Sequence, residues 1–233
     1  MFGHYYFYGF DIYYLYFIIP ALIISLIAQF KVKSTFSKYS KVSSSNITGA
    51  EAAEQVLRSH GVVGVRIEAV SGSLTDHFDP KNNVIRLSES VYSTPSIAAV
   101  GVAAHEAGHA IQYAKNYKPI MLRNSIVPII NFGSSISWLV LMLGIFLSIT
   151  PLLWVGIGLF GLTTVFHLIT LPVELNASRR AMQTIKSEGL LTESQARGAK
   201  SVLFAAAMTY VAALLVSLAQ LFRFIAIFGN RRR

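Results

Sequence analysis

With 233 residues, 53% of them hydrophobic and only 13% charged, the chain is too apolar for an ordinary soluble domain and reads as an integral membrane protein with a small polar portion. A net charge of +9 does not imply nucleic acid here, because the basic residues cluster beside apolar stretches rather than on one polar face; anionic lipid is the partner they fit. The absence of cysteine excludes disulfides, thiolate zinc ligation and cysteine nucleophiles.

The first apolar stretch, from about Tyr13 to Phe30, is long enough to span a bilayer. No Lys or Arg precedes it and no small-residue cleavage site follows, so it is expected to stay as an anchor rather than leave as a signal peptide. Tyr5, Tyr6, Phe7, Tyr8, Tyr13, Tyr14 and Tyr16 crowd its start, as an interfacial aromatic belt or as packing rings. Lys31, Lys33, Lys38 and Lys41 follow directly. Together with Arg123, Arg179, Arg180, Lys186, Arg197 and Lys200 they mark one side as cytoplasmic.

Between the first and second spans the pattern is mixed α/β. Thr48-Gly49-Ala50-Glu51 is a capping box that opens a helix ending near Gly61. Val65 to Val70 and Val84 to Leu87 are short β-rich runs, with turns at Gly72 and at Asp79-Pro80-Lys81-Asn82-Asn83. Val84 to Leu87 is the expected edge strand, able to receive an extended polypeptide by main-chain hydrogen bonds.

Thr94 and Pro95 read as the N-cap and first residue of a long helix that contains His105-Glu106-Ala107-Gly108-His109. The i to i+4 spacing puts both imidazoles on one helix face, where they can grip one Zn²⁺, while Glu106 stands beside the ion. With one further protein ligand, a water in the fourth position has its pKa lowered to about 7, and Glu106 takes its proton. Ala98, Ala99, Gly101, Ala103, Ala104, Ala107, Gly108 and Ala110 suit a helix buried in protein. Its apolar run, Ile97 to Ala104, is too short to cross a membrane.

Ile126 to Ile149 and Leu152 to Leu171 are the second and third spans, and the Thr150-Pro151 break between them predicts a tight hairpin. A third metal ligand cannot come from the extended HExxHxxGxxH pattern, because Gln112 and Lys115 stand where glycine and histidine would be needed. Glu174 is the preferred carboxylate, in a helix that Thr170 and Pro172 would start; its alternative role is to stabilise that helix N-terminus. Ser178, four residues on, and Asn176 are candidates to orient a ligand histidine. Asp76, Asp79, Glu188 and Glu193 compete as ligands, although Glu193 lies in a second capping box, Thr192-Glu193-Ser194-Gln195. His77 and Arg179 are candidate substrate or oxyanion contacts, and Arg86 could meet a substrate carboxylate. Val202 to Phe222 is the fourth span. The basic tail Arg231, Arg232 and Arg233 then runs against the cytoplasmic assignment unless the last helix is tilted or re-entrant.

The expected architecture is therefore an α-helical multi-pass membrane protein with about four transmembrane helices and a small α/β zincin-like cytoplasmic domain carrying the HExxH helix. Its expected segments are 1–30 (anchor), 31–125 (metal-binding domain), 126–171 (membrane hairpin), 172–201 (cytoplasmic segment with the third-ligand candidate) and 202–233 (last span and tail).

Six segments, AQFKVKSTFSKYSKV, LTDHFDP, IRLSESVY, SIAAVGVAAHEAGHAIQ, LPVELNASRRA and AAAMTYVAALLVSLAQL, closely resemble the YugP-like family of neutral membrane zinc metallopeptidases, and the resemblance covers most of the chain. It implies a zincin-type, gluzincin-like hydrolase in a bacterial membrane that acts on polypeptides. One Zn²⁺ per chain would be held by His105, His109 and Glu174, with Glu106 as catalyst. The Glu174 assignment is also similar to the pattern of HtpX-type membrane proteases, which have an acidic residue where this chain has Ser178. Two other readings compete: a membrane scaffold with a structural metal, disfavoured by Glu106 and the lack of cysteine, and a site-2-type intramembrane protease, disfavoured by the lack of an Asp-Gly-containing span. A metal transporter would need its histidines inside the spans, and His105 and His109 lie outside them.

Overall fold

The computed structural model describes residues 6–7, 10–44 and 46–229. Tyr5, Tyr8 and the Arg231 to Arg233 tail lie outside the described residues, as do the side chains of Tyr6 and Phe7. The elements in order are β1 (Tyr6–Phe7), β2 (Phe10–Asp11), a π-helical turn Tyr14–Ile18 leading into α1 (Ile19–Tyr39), α2 (Gly49–Ser59), β3 (Arg66–Val70), β4 (His77–Asp79), β5 (Val84–Ser88), α3 (Glu89–Tyr92), α4 (Ile97–Ala114), α5 (Lys118–Phe146), α6 (Thr150–Ser187) and α7 (Glu193–Gly229). They form two compact units: residues 1–28, 122–171 and 209–233, and residues 29–121 and 172–208.

The first unit consists of the apolar parts of the long helices. Among the described residues four helices, Tyr14–Tyr39, Lys118–Phe146, Thr150–Ser187 and Glu193–Gly229, are long and apolar enough to cross a membrane. At 1.5 Å per residue, the 38 residues of α6 extend about 57 Å, far more than the roughly 30 Å of a hydrocarbon core, so only part of each long helix needs to be apolar. Leu147, Ser148 and Ile149 make the expected tight turn between α5 and α6, with Ser148 at a φ of 56°. Leu141, Leu153, Ile157, Phe224 and Phe228 pack together, and large apolar side chains such as Phe132, Trp138 and Phe146 face outward. That outward apolarity is the surface a lipid solvent requires. Asp11 caps the start of the first helical turn, accepting from the Tyr14 amide at 2.9 Å, and pairs with Arg223 of α7.

The second unit carries the α/β portion around a core of Ala52, Val56, Ile85, Leu87, Val91, Val100, Ala103, Ile111, Ala181, Ile185 and Ala199, all nearly or fully buried. The capping box is present: the Glu51 amide donates to Thr48 Oγ1 and the Thr48 amide to Glu51 Oε2, and Gly61 at φ 67° follows the helix end. At the second box, Thr192 and Gln195 exchange the same pair of bonds.

The sheet corrects two expectations. Its order is β3-β5-β4, with β3 parallel and β4 antiparallel to β5. Val84 to Leu87 is thus the central strand, both its edges are paired, and the free edges belong to β3 and β4. His77 to Asp79 forms the third strand; its three residues are too few for alternation to announce them beside the Asp79-Pro80 turn. Asp79 then closes that turn by accepting from the Lys81 and Asn82 amides.

Two helix starts also differ from expectation. Ser96, extended at φ −129° and ψ 155°, is the N-cap of α4 in place of Thr94, its hydroxyl accepting from the Ala99 amide at 3.2 Å. Ser96 and Thr94 compete for the same role, and the Ser43 to Ser96 bridge holds Ser96 extended. No helix begins at Thr170 or Pro172. Pro172 lies inside α6, which runs on from the apolar stretch without interruption.

A candidate metal centre built by two helices

Helix α4 is buried on nearly every side because small residues let other backbones come close. A Cβ at Gly108 would stand 2.7 Å from the Ala177 carbonyl oxygen of α6, and one at Gly101 would stand 3.4 Å from Ala199 Cβ of α7. Glycine at 108 is therefore required by the approach of α6, and that approach brings Glu174 to the histidines.

His105 and His109 lie one turn apart with ring centroids separated by 4.7 Å and planes nearly perpendicular. Glu174, only 2% exposed, comes from α6 and places Oε2 3.3 Å from His105 Nε2 and 3.4 Å from His109 Nε2. One donor atom from each of the three lies within 4.8 Å of the others, and among the described residues no other group of His and carboxylate side chains is so gathered. Two imidazole nitrogens and one carboxylate oxygen form the donor set that zinc favours when a position is left for water or substrate. The residues therefore fit the ion. Helix-dipole stabilisation does not explain Glu174, since it sits in the interior of α6 rather than at its first turn.

The electrostatics follow from burial against pairing. Glu174 lies past the apolar span that ends at Leu171. Desolvation works to raise its carboxyl pKa, but the hydrogen bonds to both histidines outweigh it and hold the carboxyl well below the ordinary carboxylate range. Burial likewise works to lower His109. The Glu174 hydrogen bond, the charges of Glu106 and Glu174 and the Gln112 bond together raise it. Glu106 is buried between the two histidines in sequence, and its charge is felt at His109.

The remaining candidates divide. Ser178 is in the cluster's surroundings, with Oγ 3.1 Å from His105 Nδ1. Asn176 touches neither histidine; its Oδ1 accepts from Gln112 Nε2 at 3.0 Å and from Arg180 Nε at 2.8 Å. His77 does not join the cluster. It is exposed on β4, its Nδ1 2.7 Å from the Thr75 carbonyl oxygen. Arg179 is exposed on α6, and the neighbouring Arg180 is the one that turns inward, its guanidinium 5.9 Å from the Tyr117 ring centre. Arg86 bonds to Asp79 at 2.9 Å and lies 3.8 Å from Glu68, so its charge is met within the sheet. Asp76 is likewise taken up, accepting from the Ser88 amide and hydroxyl.

Sequence reasoning passed over Gln112, treating it only as a position where glycine was lacking. It is fully buried, accepts from His109 and donates to α6. A signal existed: Gln112 is the single amide side chain of a helix whose other polar side chains are His105, Glu106, His109 and Tyr113, and it stands three residues beyond His109.

The family model described as "Putative neutral zinc metallopeptidase" matches residues 14–229, nearly the whole chain. The chain belongs to this family. A relative in Bacillus subtilis (strain 168), "Putative membrane protease YugP", is 51% identical over 215 residues, which cover 92% of this chain and 96% of that protein. No solved structure matches. The zinc of the family's description and the His-His-Glu cluster agree in chemistry, and the long apolar helices agree with the membrane setting in the relative's name.

Proposed function

We propose that the chain is a membrane-anchored zinc metalloendopeptidase acting at the cytoplasmic face, with residues 31–125 and 172–201 forming its catalytic part. One observation carries this: two helices far apart in sequence converge to gather His105, His109 and Glu174, with Glu106 between the histidines. In this reading those three residues hold one Zn²⁺, which when bound polarises the scissile carbonyl and acidifies the attacking water. Glu106 accepts the proton of that water and delivers it to the leaving amine nitrogen, so that one carboxylate serves as base and then acid. Ser178 and Gln112 keep the two imidazole rings from turning. The basic residues flanking the spans place this part on the cytoplasmic side, where membrane-associated polypeptides are its substrates.

The test measures zinc content and cleavage of an unfolded casein in detergent-purified wild type, Glu106→Gln and Glu174→Ala. Wild type and Glu106→Gln are expected to hold about one zinc each, while the latter loses about 10²- to 10⁴-fold in turnover. Glu174→Ala is expected to lose most of its zinc. Full zinc in Glu174→Ala removes that residue from the site, and equal turnover in Glu106→Gln removes the proposed base.

A further inference from the structure

The two histidines are held by unlike partners, and the difference fixes a proton. Ser178 meets His105 through a hydroxyl, which can donate or accept and so leaves the ring free to choose its tautomer. Gln112 meets His109 through Oε1 at 3.0 Å, and its other end leaves no such freedom. Gln112 Nε2 lies 2.8 Å from the Val173 main-chain carbonyl, which can only accept. The amide therefore cannot be flipped. Its oxygen must face His109, and Nδ1 of His109 must carry the hydrogen. In the neutral ring, the lone pair then sits on Nε2, the nitrogen turned toward Glu174.

The lock extends beyond Gln112. Its Nε2 also donates to Asn176 Oδ1 at 3.0 Å, and the same oxygen accepts from Arg180 Nε at 2.8 Å. A guanidinium has no acceptor, so Asn176 is held with its oxygen inward from both sides. Donation converges on α6: Arg180 and Gln112 both donate to Asn176 Oδ1, and His109 donates to Gln112, which donates in turn to the Val173 carbonyl. Main-chain geometry completes it: Asn116, at φ 50°, ends α4 so that the Tyr117 amide returns to the Gln112 carbonyl at 2.9 Å, and the Tyr117 ring meets Arg180.

We propose that Gln112 is the positioning residue of the metal centre, which commits His109 to offering Nε2 and clamps the HEAGH helix to the helix that carries Glu174. Asn176 and Arg180 serve as its outer brace. This rests on the reading of His105, His109 and Glu174 as metal ligands, and goes beyond it by assigning the order of the shell behind them. The acceptor at position 112 then matters more than its bulk.

Two near-isosteric variants separate that from a packing role. Gln112→Glu keeps an acceptor for the His109 Nδ1 hydrogen but gives up the Nε2 donor to Val173 and Asn176 and puts a carboxyl group in a fully buried place. Gln112→Met keeps the volume and removes the acceptor. Zinc dissociation constants are measured by competition with a chromophoric chelator, the d–d spectrum is recorded after cobalt(II) substitution, and metal-free melting temperatures are taken in the same detergent. Positioning predicts that Gln112→Met, which loses acceptor and donor alike, weakens zinc binding about 10- to 100-fold and alters the cobalt spectrum, while Gln112→Glu lowers the metal-free melting temperature by losing the two Nε2 bonds yet binds zinc more tightly than Gln112→Met. The opposite order, with Gln112→Met binding like wild type and Gln112→Glu impaired in metal-free melting and in zinc binding alike, overturns the proposal and makes Gln112 a packing residue. Absence of zinc binding by wild type would overturn the metal reading itself, a failure distinguishable from the first.

Discussion

The two units use nearly the same apolar alphabet for opposite ends. In residues 1–28, 122–171 and 209–233, large side chains such as Phe132 (70% exposed) and Phe146 (86%) point outward, and the packed clusters are few. In residues 29–121 and 172–208, alanine and glycine bring helices into backbone contact, and apolar side chains such as Ile111 and Ile185 are wholly enclosed. The lesson is that hydrophobicity alone does not tell a lipid-facing helix from the heart of a fold. The placing of the large side chains does: α5 and α6 also approach closely in the first unit, where a Cβ at Gly144 or Gly156 would meet a backbone nitrogen at 3.0 or 3.1 Å, but there large side chains such as Phe132 turn outward, whereas in the second unit those such as Ile111 are enclosed.

The sharpest way to break this contrast is a paired truncation. Ile111→Ala opens a cavity in the enclosed core and is expected to destabilise by about 2–5 kcal/mol, whereas Phe132→Ala, on the outward surface, is expected to stay within about 0.5 kcal/mol. Thermal or denaturant unfolding in a fixed detergent reads both, and equal losses would erase the distinction between the units.

A smaller effect, but one aimed at the site, comes from Gly108→Ala. The added Cβ would press on the Ala177 carbonyl oxygen at 2.7 Å and must push α4 and α6 apart, costing about 1–3 kcal/mol. Because the same separation moves Glu174 from the histidines, zinc affinity should fall along with melting temperature. Gly158→Ala in α6, where an added Cβ would meet nothing within 4 Å, is the matched control: zinc affinity should not change, and melting temperature should stay the same or rise slightly as alanine replaces glycine in a helix.

The smallest expected effect is a pH dependence in the sheet. The Asn82 side chain, followed by the Arg86 guanidinium, holds the Asp79 carboxyl well below the usual carboxylate range. A carboxyl whose pKa is lower folded than unfolded stabilises the fold above its unfolded value of about 3.9, and that stabilisation fades as the pH falls toward the folded value. Melting of Asp79→Asn should therefore lie below wild type at pH 7, and the gap should narrow at pH 3. A gap that widens in acid would mean that Asp79 acts through something other than its charge.

Much of the site was legible because its signals are local. The spacing of His105 and His109 within one helix turn needs no tertiary information, and Glu106 follows from it. Glu174 was reachable only as one carboxylate among several. Asp76, Asp79 and Arg86 looked available in sequence and are satisfied within the sheet and its adjoining turns, which only the register of β4 on β5 reveals. His77 lies on a strand of three residues, which carries too little pattern to show in sequence which way it faces. Gln112 escaped notice because a buried amide is defined by its partners, and those lie 61 and 64 residues away on α6.

By itself the sequence determined the class of molecule, the four apolar helices, both capping boxes and the two-histidine helix face, all set by composition, by periodicity or by contacts within a few residues. Tertiary structure alone decided that α6 continues through Pro172, that β5 is central, which carboxylate meets the histidines and which amide holds one of them. Those outcomes depend on how closely separate backbones approach, and that distance is set by small residues whose partners are remote in the chain.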